Sequence, residues 1–525
     1  MDTKALRRKI LDLAIRGQLV PQDPADEPAS VLLDRIRAEK QKMVKEGKLK
    51  AKDIKNDSII FVGEDSLHYE KFADGSVKCI EDEIPFELPE GWAWARLGTV
   101  FSTVTGDTPS TKDASLYGTD YPFYKPTDLD AGYNVCGAED SVSEKGYLSG
   151  RPLPKFSVLV TCIGATIGKT GYISNAGICN QQINAVLPNS EVLSDYTYFC
   201  MCSQYEQEQI WTNSSATTLP ILNKSKFDNL LFPIPPHEQQ SRIVERIKGL
   251  FFFVEKVQSN QESLKTTVGI AKSKILDLAI RGQLVPQDPN DEPASVLLER
   301  IRAEKEELIR QGKLKRDKKE SVIFRGDDNS YYEKVGGEVQ CIDNEIPFDS
   351  PETWAFVRLK HIGTVIGGGT PKTNVPSFWD GEIPWLTPAD LSGHKEIYVS
   401  AGGRNIKREG LDSSSAQLMP AGAVLYSSRA PIGYVAISAN PIATNQGFKS
   451  VVPYDFSMSE YLYYCLQART PDIEQRATGT TFKEISGSAM AETIIPLPPI
   501  AEQQRIVSCV QSYVEKLFVV EKQIN

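Results

Sequence analysis

At roughly 100–200 residues per domain, 525 residues suffice for three or four folding units. With 40% hydrophobic and 24% charged residues, and no apolar run of about 18, the composition is that of a globular protein and argues against a helical membrane span. A net charge of −10 argues against a chain that coats nucleic acid unaided, because such chains are strongly basic.

The chain opens on Met1-Asp2-Thr3-Lys4-Ala5-Leu6-Arg7-Arg8, which lacks the apolar stretch of a secretory signal. Nine scattered cysteines, an odd number with no CxxC pair, predict a reduced, cytoplasmic protein. Cys200 and Cys202 stand closest together and read as small buried residues. Four histidines (His68, His237, His361 and His394) lack metal-ligand spacing, so no metal site is expected.

The first predicted elements are helical and recur. Residues 9–40 return at 274–305 with 30 of 32 positions identical; only Ala25/Asn290 and Asp34/Glu299 differ. In each copy a helix stops at a glycine (Gly17, Gly282), and a proline (Pro28, Pro293) opens a second helix that ends near Gly47 or Gly312. A polar region with strand-like pieces follows, Ser58-Ile59-Ile60-Phe61 and Ser321-Val322-Ile323-Phe324. Past Trp92 and Trp354 the copies diverge, then converge at Pro233-Ile234-Pro235-Pro236-His237-Glu238-Gln239-Gln240 and Pro496-Leu497-Pro498-Pro499-Ile500-Ala501-Glu502-Gln503-Gln504. Two near-identical frames thus surround two unlike inserts, which suggests one shared partner and two different ligands.

The inserts, 92–236 and 354–499, are rich in short β-prone runs and Gly/Pro/Thr turns. Ser157–Thr161 and Ala423–Ser427 read as strands; Asp195–Phe199 and Glu460–Tyr464 read as starts of helices. The first insert carries 9 basic and 13 acidic residues and the second 12 of each, so neither is a strongly basic module. Candidates for contact with DNA are donors and acceptors in polar loops. In the first insert they are Thr108, Lys112, Lys125, Thr127, Lys169, Asn180, Gln181, Gln182, Thr217 and Thr218. In the second they are Thr370, Lys372, Thr387, Arg404, Lys407, Arg408, Ser428, Arg429, Asn445, Gln446, Lys449, Thr480, Thr481 and Lys483.

After the first insert, apolar residues recur in alternating steps of four and three: Ile243, Ile247, Leu250, Val254, Val257, then Gln261, then Leu264, Val268, Ala271, Ile275 and Leu278. This is a coiled-coil seam. The same stepping after Pro499 gives Ile506, Val510, Tyr513, Leu517, Val520 and Ile524. Leu6, Ile10 and Leu13 match Ala271, Ile275 and Leu278. The two terminal helices together therefore mimic the single central one. The expectation is an antiparallel helical spacer, termini close together, and a pseudo-two-fold axis from the duplication.

The divisions expected are helical residues 1–50, a stranded linker 51–91, the first insert 92–236, a central helical region 237–315, a second linker 316–353, the second insert 354–499 and a terminal helix 500–525.

Catalytic signatures are absent. Gly164-Ala165-Thr166-Ile167-Gly168-Lys169-Thr170 approaches a phosphate loop, but its first glycine comes one residue late and the second insert has no lysine there; it reads as a turn. No Asn-Pro-Pro-aromatic or Asp-Pro-Pro-Tyr motif occurs, nor G-x-S-x-G nor H-E-x-x-H.

The second insert contains Gly368-Gly369-Thr370-Pro371-Lys372-Thr373, Phe378-Trp379-Asp380-Gly381-Glu382-Ile383-Pro384-Trp385-Leu386-Thr387-Pro388-Ala389-Asp390-Leu391, Arg429-Ala430-Pro431-Ile432-Gly433 and Ala443-Thr444-Asn445-Gln446-Gly447-Phe448. This resembles the target-recognition domains of type I restriction-modification specificity subunits, and the two-copy layout extends the resemblance over nearly the whole chain. The first insert departs from the pattern: Thr105-Gly106-Asp107-Thr108-Pro109 replaces the Gly-Gly-Thr-Pro turn.

The resemblance implies an α+β protein with two globular α/β target-recognition domains separated by a long antiparallel coiled coil. Each domain would read one half of a split, asymmetric DNA site, and the helices would set the gap. Two methyltransferase subunits would dock on the frames, and two motor-nuclease subunits would join them. S-adenosylmethionine, ATP and magnesium would belong to those partners, leaving this chain non-catalytic and without a cofactor. Partner subunits would also supply phosphate contacts that a chain of this charge lacks. On sequence alone two other readings stand: a stand-alone DNA-modifying or cleaving enzyme, and a scaffold whose inserts bind proteins.

Overall fold

The computed structural model describes residues 2–524 apart from 48, 52–53, 216–218, 317–319, 430 and 480–482. The chain divides into two compact units, 1–261 and 262–525, with the division inside one helix, His237–Ile280. Each unit has its own core.

In the first unit the N-terminal helix Thr3–Ile15 begins where the Asp2 carboxylate accepts the amides of Lys4 and Ala5. It stops at Gly17, whose φ of 65° suits glycine and whose missing side chain admits Pro89: a Cβ there would lie 2.4 Å from that ring. Gly282 repeats the device, with φ 68° and Pro351 at 2.5 Å. Helices Ala29–Lys45 and Ala294–Arg310 then bury Leu32 and Ile36, or Leu297 and Ile301, against the cores.

Next in each unit is a small antiparallel sheet, Ser58–Val62, His68–Phe72 and Val77–Cys79 in the first, and Ser321–Arg325, Tyr331–Val335 and Glu338–Cys341 in the second. A buried ion pair ties each sheet to the insert behind it. Arg96 donates to Glu70 at 2.6 Å and Glu83 at 2.7 Å; Arg358 donates to Glu333 and Glu345, both at 2.7 Å. Burial alone would lower the pKa of each guanidinium, but the carboxylates raise it overall.

Each insert opens and closes on one antiparallel pair. Ala93–Arg96 pairs with Leu231–Ile234, and Ala355–Arg358 with Ile494–Leu497. Between these strands the first insert holds a four-stranded sheet (103–105, 183–186, 158–161, 170–172 in spatial order) and a three-stranded one (178–179, 117–124, 140–142). The second holds a five-stranded sheet (363–367, 449–453, 424–428, 432–438, 398–399) and a three-stranded one (404–406, 379–386, 443–444). Helix Ser194–Met201 in one, and Ser459–Gln475 in the other, contributes aromatic residues to its core.

Within the first unit the N-terminal segment runs antiparallel to the first part of the long helix. Gln22 meets Gln239 at 2.8 Å, and farther along Arg7 pairs with Glu255 at 3.2 Å. Within the second unit the rest of the long helix and the segment after it meet the C-terminal helix Ile500–Ile524 the same way: Gln287 donates to Glu502 at 2.6 Å, and Lys272 in the helix pairs with Glu521 at 2.8 Å.

The predicted seam is buried at Ile243, Ile247, Val254, Val268, Ile506 and Val510, and half-buried at Leu250, Val257, Ile275, Leu517 and Val520. It fails at Leu264 and Tyr513, which are 43% and 44% exposed. The reason is period: a straight helix drifts about 20° per heptad against a strict 3.5-residue repeat, so the contact face leaves the stepping. Val507 and Val514 pack on the second core, outside that stepping.

Trp92 donates its indole N–H to Gln239 at 2.9 Å, and Trp354 donates to Glu502 at 2.9 Å. Gln239 and Glu502 thus hold equivalent places, as aligning Pro236 with Pro499 gives.

Candidate nucleic-acid interface

In both inserts two loops meet at one place. The Thr108 hydroxyl donates to the Gln181 side-chain carbonyl, and Thr370 donates to Gln446 in the same way. Beneath these contacts the Asp107 amide donates to the Cys179 carbonyl at 2.8 Å, and the Gly369 amide to the Thr444 carbonyl at 2.9 Å. The approach demands glycine: a Cβ on Gly106 would lie 2.0 Å from the Asn180 carbonyl oxygen, and one on Gly368 1.9 Å from that of Asn445. The first insert's departure from Gly-Gly-Thr-Pro is therefore one of letters; Gly106-Asp107-Thr108-Pro109 folds like Gly368-Gly369-Thr370-Pro371.

Aromatic residues hold the turn. Trp379 donates its indole N–H to the Lys372 carbonyl at 3.2 Å, and Trp385 to the Gly369 carbonyl at 2.9 Å. In the first insert the Tyr117 hydroxyl donates to the Pro109 carbonyl at 2.7 Å. Lys112 and Lys372 stand exposed just past the two turns, with no ion pair among the described residues.

Strand pairing fixes a further correspondence. Arg404 lies opposite Trp385, and Asp140 opposite Phe123. The Arg404 guanidinium stacks 3.6 Å from the centroid of Trp379 and is exposed. Asp140 instead pairs with Lys125, whose pKa that carboxylate raises. Sequence reading named Arg404 and Lys125 but missed Asp140, Trp379 and Trp385 as elements of the site. Strand register was the missing signal for Asp140, since the loose match of Tyr121–Asp128 to Ile383–Asp390 places Phe123 with Trp385 but not Asp140 with Arg404.

The remaining candidates sort by exposure and commitment. Gln181, Gln446, Lys407, Lys483 and Thr127 are exposed. Asn180 is buried, and its side chain donates to Gln182 at 3.0 Å; Asn445 accepts the Gly447 amide at 2.8 Å, so these asparagines shape their loops. Thr387 gives its hydroxyl to Asp390 at 2.8 Å. Lys169 is engaged by Asp130 at 2.7 Å, Lys449 by Glu484 at 3.1 Å, and Arg408 by Asp412 at 3.1 Å. Arg429 is half-buried, bridged through its backbone to Glu484. Ser428 is a correction: it is wholly buried on the central strand 424–428, where a neighbouring DNA could not reach its hydroxyl. Thr217, Thr218, Thr480 and Thr481 lie outside the described residues.

The resemblance to a phosphate loop dissolves. Strands 158–161 and 170–172 pair antiparallel across 162–169, whereas a phosphate loop leads from a strand into a helix. Among the described residues no helix is long and apolar enough to cross a membrane.

A duplicated mixed fold, with a paired-loop platform on each insert, defines a two-domain recognition protein. Segments 89–264 and 351–525 match the family model described as type I restriction modification DNA specificity domain. The chain belongs to that family: it is a DNA-specificity subunit, not an enzyme in its own right. It is 26% identical over 97% of its length to the type I restriction enzyme EcoEI specificity subunit of Escherichia coli, covering 89% of that protein. It is 44% identical to the MjaIX specificity subunit of Methanocaldococcus jannaschii over 177 residues, which span 33% of this chain and 41% of that one. A chain from a solved structure described as "Structural basis underlying complex assembly and conformational transition of the type I R-M system" shares the fold at TM-score 0.56 and 19% identity, covering 84% of this chain and 94% of its own length.

Proposed function

We propose that each insert reads one half of a split, asymmetric DNA site through its paired-loop platform, with Arg404, Lys372, Gln446, Lys407 and Lys483 on one and Lys112, Gln181 and Thr127 on the other. The observation that carries this reading is one platform bearing different side chains in each copy, down to Asp140 where the other has Arg404. Opposite charge at one position on one scaffold suits two different half-sites. The 44-residue helix His237–Ile280, roughly 66 Å at 1.5 Å per residue, sets the unread gap. The near-identical frames dock two methyltransferase subunits, and two motor-nuclease subunits join the assembly. S-adenosylmethionine, ATP and magnesium act on those partners. Their basic surfaces supply phosphate contacts that this acidic chain lacks.

The test is a long-read methylome of cells expressing this chain with its methyltransferase subunit, against cells lacking this chain. A split, asymmetric methylated-adenine motif that depends on the chain is expected. Absence of any chain-dependent motif, with both proteins expressed and associated, overturns the reading.

A further inference from the structure

The two small sheets lie at 58–79 and 321–341, outside the segments matched by the family model. Their back faces are accounted for. Ser58, His68 and Glu70 are buried in one, and Ser321, Tyr331 and Glu333 in the other; Glu70 and Glu333 take the Arg96 and Arg358 anchors.

Among the described residues the front faces have no such cover. Strand register places Ile59, Lys71 and Val77 in one row of the first sheet and Phe61, Tyr69 and Cys79 in the next. The second sheet repeats this with Val322, Lys334 and Val339, then Phe324, Tyr332 and Cys341. The aromatic pair stacks identically in both, with centroids 5.9 Å apart and planes at 27°. Exposure matches as well: Phe61 and Phe324 are 40% and 41% exposed, Val77 and Val339 53% and 54%. Five of the six positions are identical and the sixth exchanges Ile59 for Val322, while exposed neighbours have changed, with Val62 matching Arg325 and Lys78 matching Gln340. Cross-strand stacking explains the aromatic pair. It does not explain exposed valines kept on a three- or four-residue edge strand, where water favours polar residues.

Charge points to the occupant. The stretch 58–83 holds seven acidic and two basic residues, and 321–345 holds six and two; with Arg96 and Arg358 counted against the glutamates they pair with, both sheets remain acidic. Such surfaces repel phosphate and suit a protein with an apolar patch and a basic rim. Repetition of the face means the same partner twice.

We propose that each small sheet is a docking face for one copy of the methyltransferase subunit, which presents a complementary apolar patch rimmed by Lys and Arg. This rests on the functional reading above. Cys79 and Cys341, exposed at the end of the aromatic row, are natural probes. Maleimide labelling of both, measured on the full chain without DNA, is expected to slow at least tenfold when the methyltransferase subunit is added. By native mass spectrometry the wild-type chain should carry two copies, Phe61→Asp one, and Phe61→Asp with Phe324→Asp none. Val77→Glu and Val339→Glu, which leave the aromatic stack intact, should reproduce those losses. A two-copy complex that directs methylation while Cys79 and Cys341 label at unchanged rates overturns the docking proposal alone. A wild-type chain that binds no methyltransferase subunit and directs no motif overturns the functional reading along with it.

Discussion

The frames and the inserts of this chain answer to different constraints. The frames repeat side chain for side chain: Gly17 and Gly282 against their prolines, Arg96 and Arg358 on their glutamates, Phe61 and Phe324 on their tyrosines. The inserts repeat their backbone and the Thr-Gln contact of the paired loops, but at the position where one carries Arg404 the other carries Asp140. Fixed geometry with variable surface chemistry lets one scaffold serve two ligands, because loop placement and loop identity are determined by different atoms.

The sharpest way to break this comparison is at the frame anchor. Arg96→Met or Arg358→Met leaves a carboxylate buried without its partner, and each should cost about 3–5 kcal/mol. Hydrogen exchange should show the loss in the sheet of the mutated unit. Equal protection of Ser58–Phe72 in the Arg96→Met chain and the wild type would show that the anchor does not hold the sheet.

The next effect separates the inserts. Arg404→Ala should weaken DNA binding by about 1–3 kcal/mol and relax only the half-site read by the second insert. Competition binding with duplexes altered in one half at a time measures this; relaxation of both halves would contradict one insert, one half-site. Lys112→Ala and Lys372→Ala should act alike, each lowering the salt slope of binding by about 1 without altering sequence preference. A changed preference in either variant would make that lysine a base reader.

The smallest effect concerns a buried place where the frames differ chemically, Gln239 in one and Glu502 in the other. Burial raises the pKa of Glu502, against the hydrogen bonds from Trp354 and Gln287, while Gln239 does not titrate. A carboxyl whose pKa is higher folded than unfolded contributes stability that is complete below its ordinary value of 4.5 and is lost as pH rises through the raised folded value. Stability contributed by the second frame should therefore fall over that interval, and Glu502→Gln should flatten the fall. Denaturation midpoints of Glu502→Gln and wild type that run parallel across that range would show that the carboxyl does not titrate differently on folding.

Much of this was legible in the sequence. Duplication, helix limits at Gly17 and Pro28 and the apolar stepping from Ile243 are local signals, because glycine, proline and apolar periodicity act on the chain nearest them. The Thr-Pro turns and Asn-Gln loops were also visible, as composition. Tertiary structure alone decided that Thr108 meets Gln181 across 73 residues, that Arg404 and Asp140 hold equivalent places, that Ser428 faces inward, and that Trp92 reaches Gln239. Those facts depend on strand register and helix phase, and a shift of one residue turns a strand side chain to the opposite face.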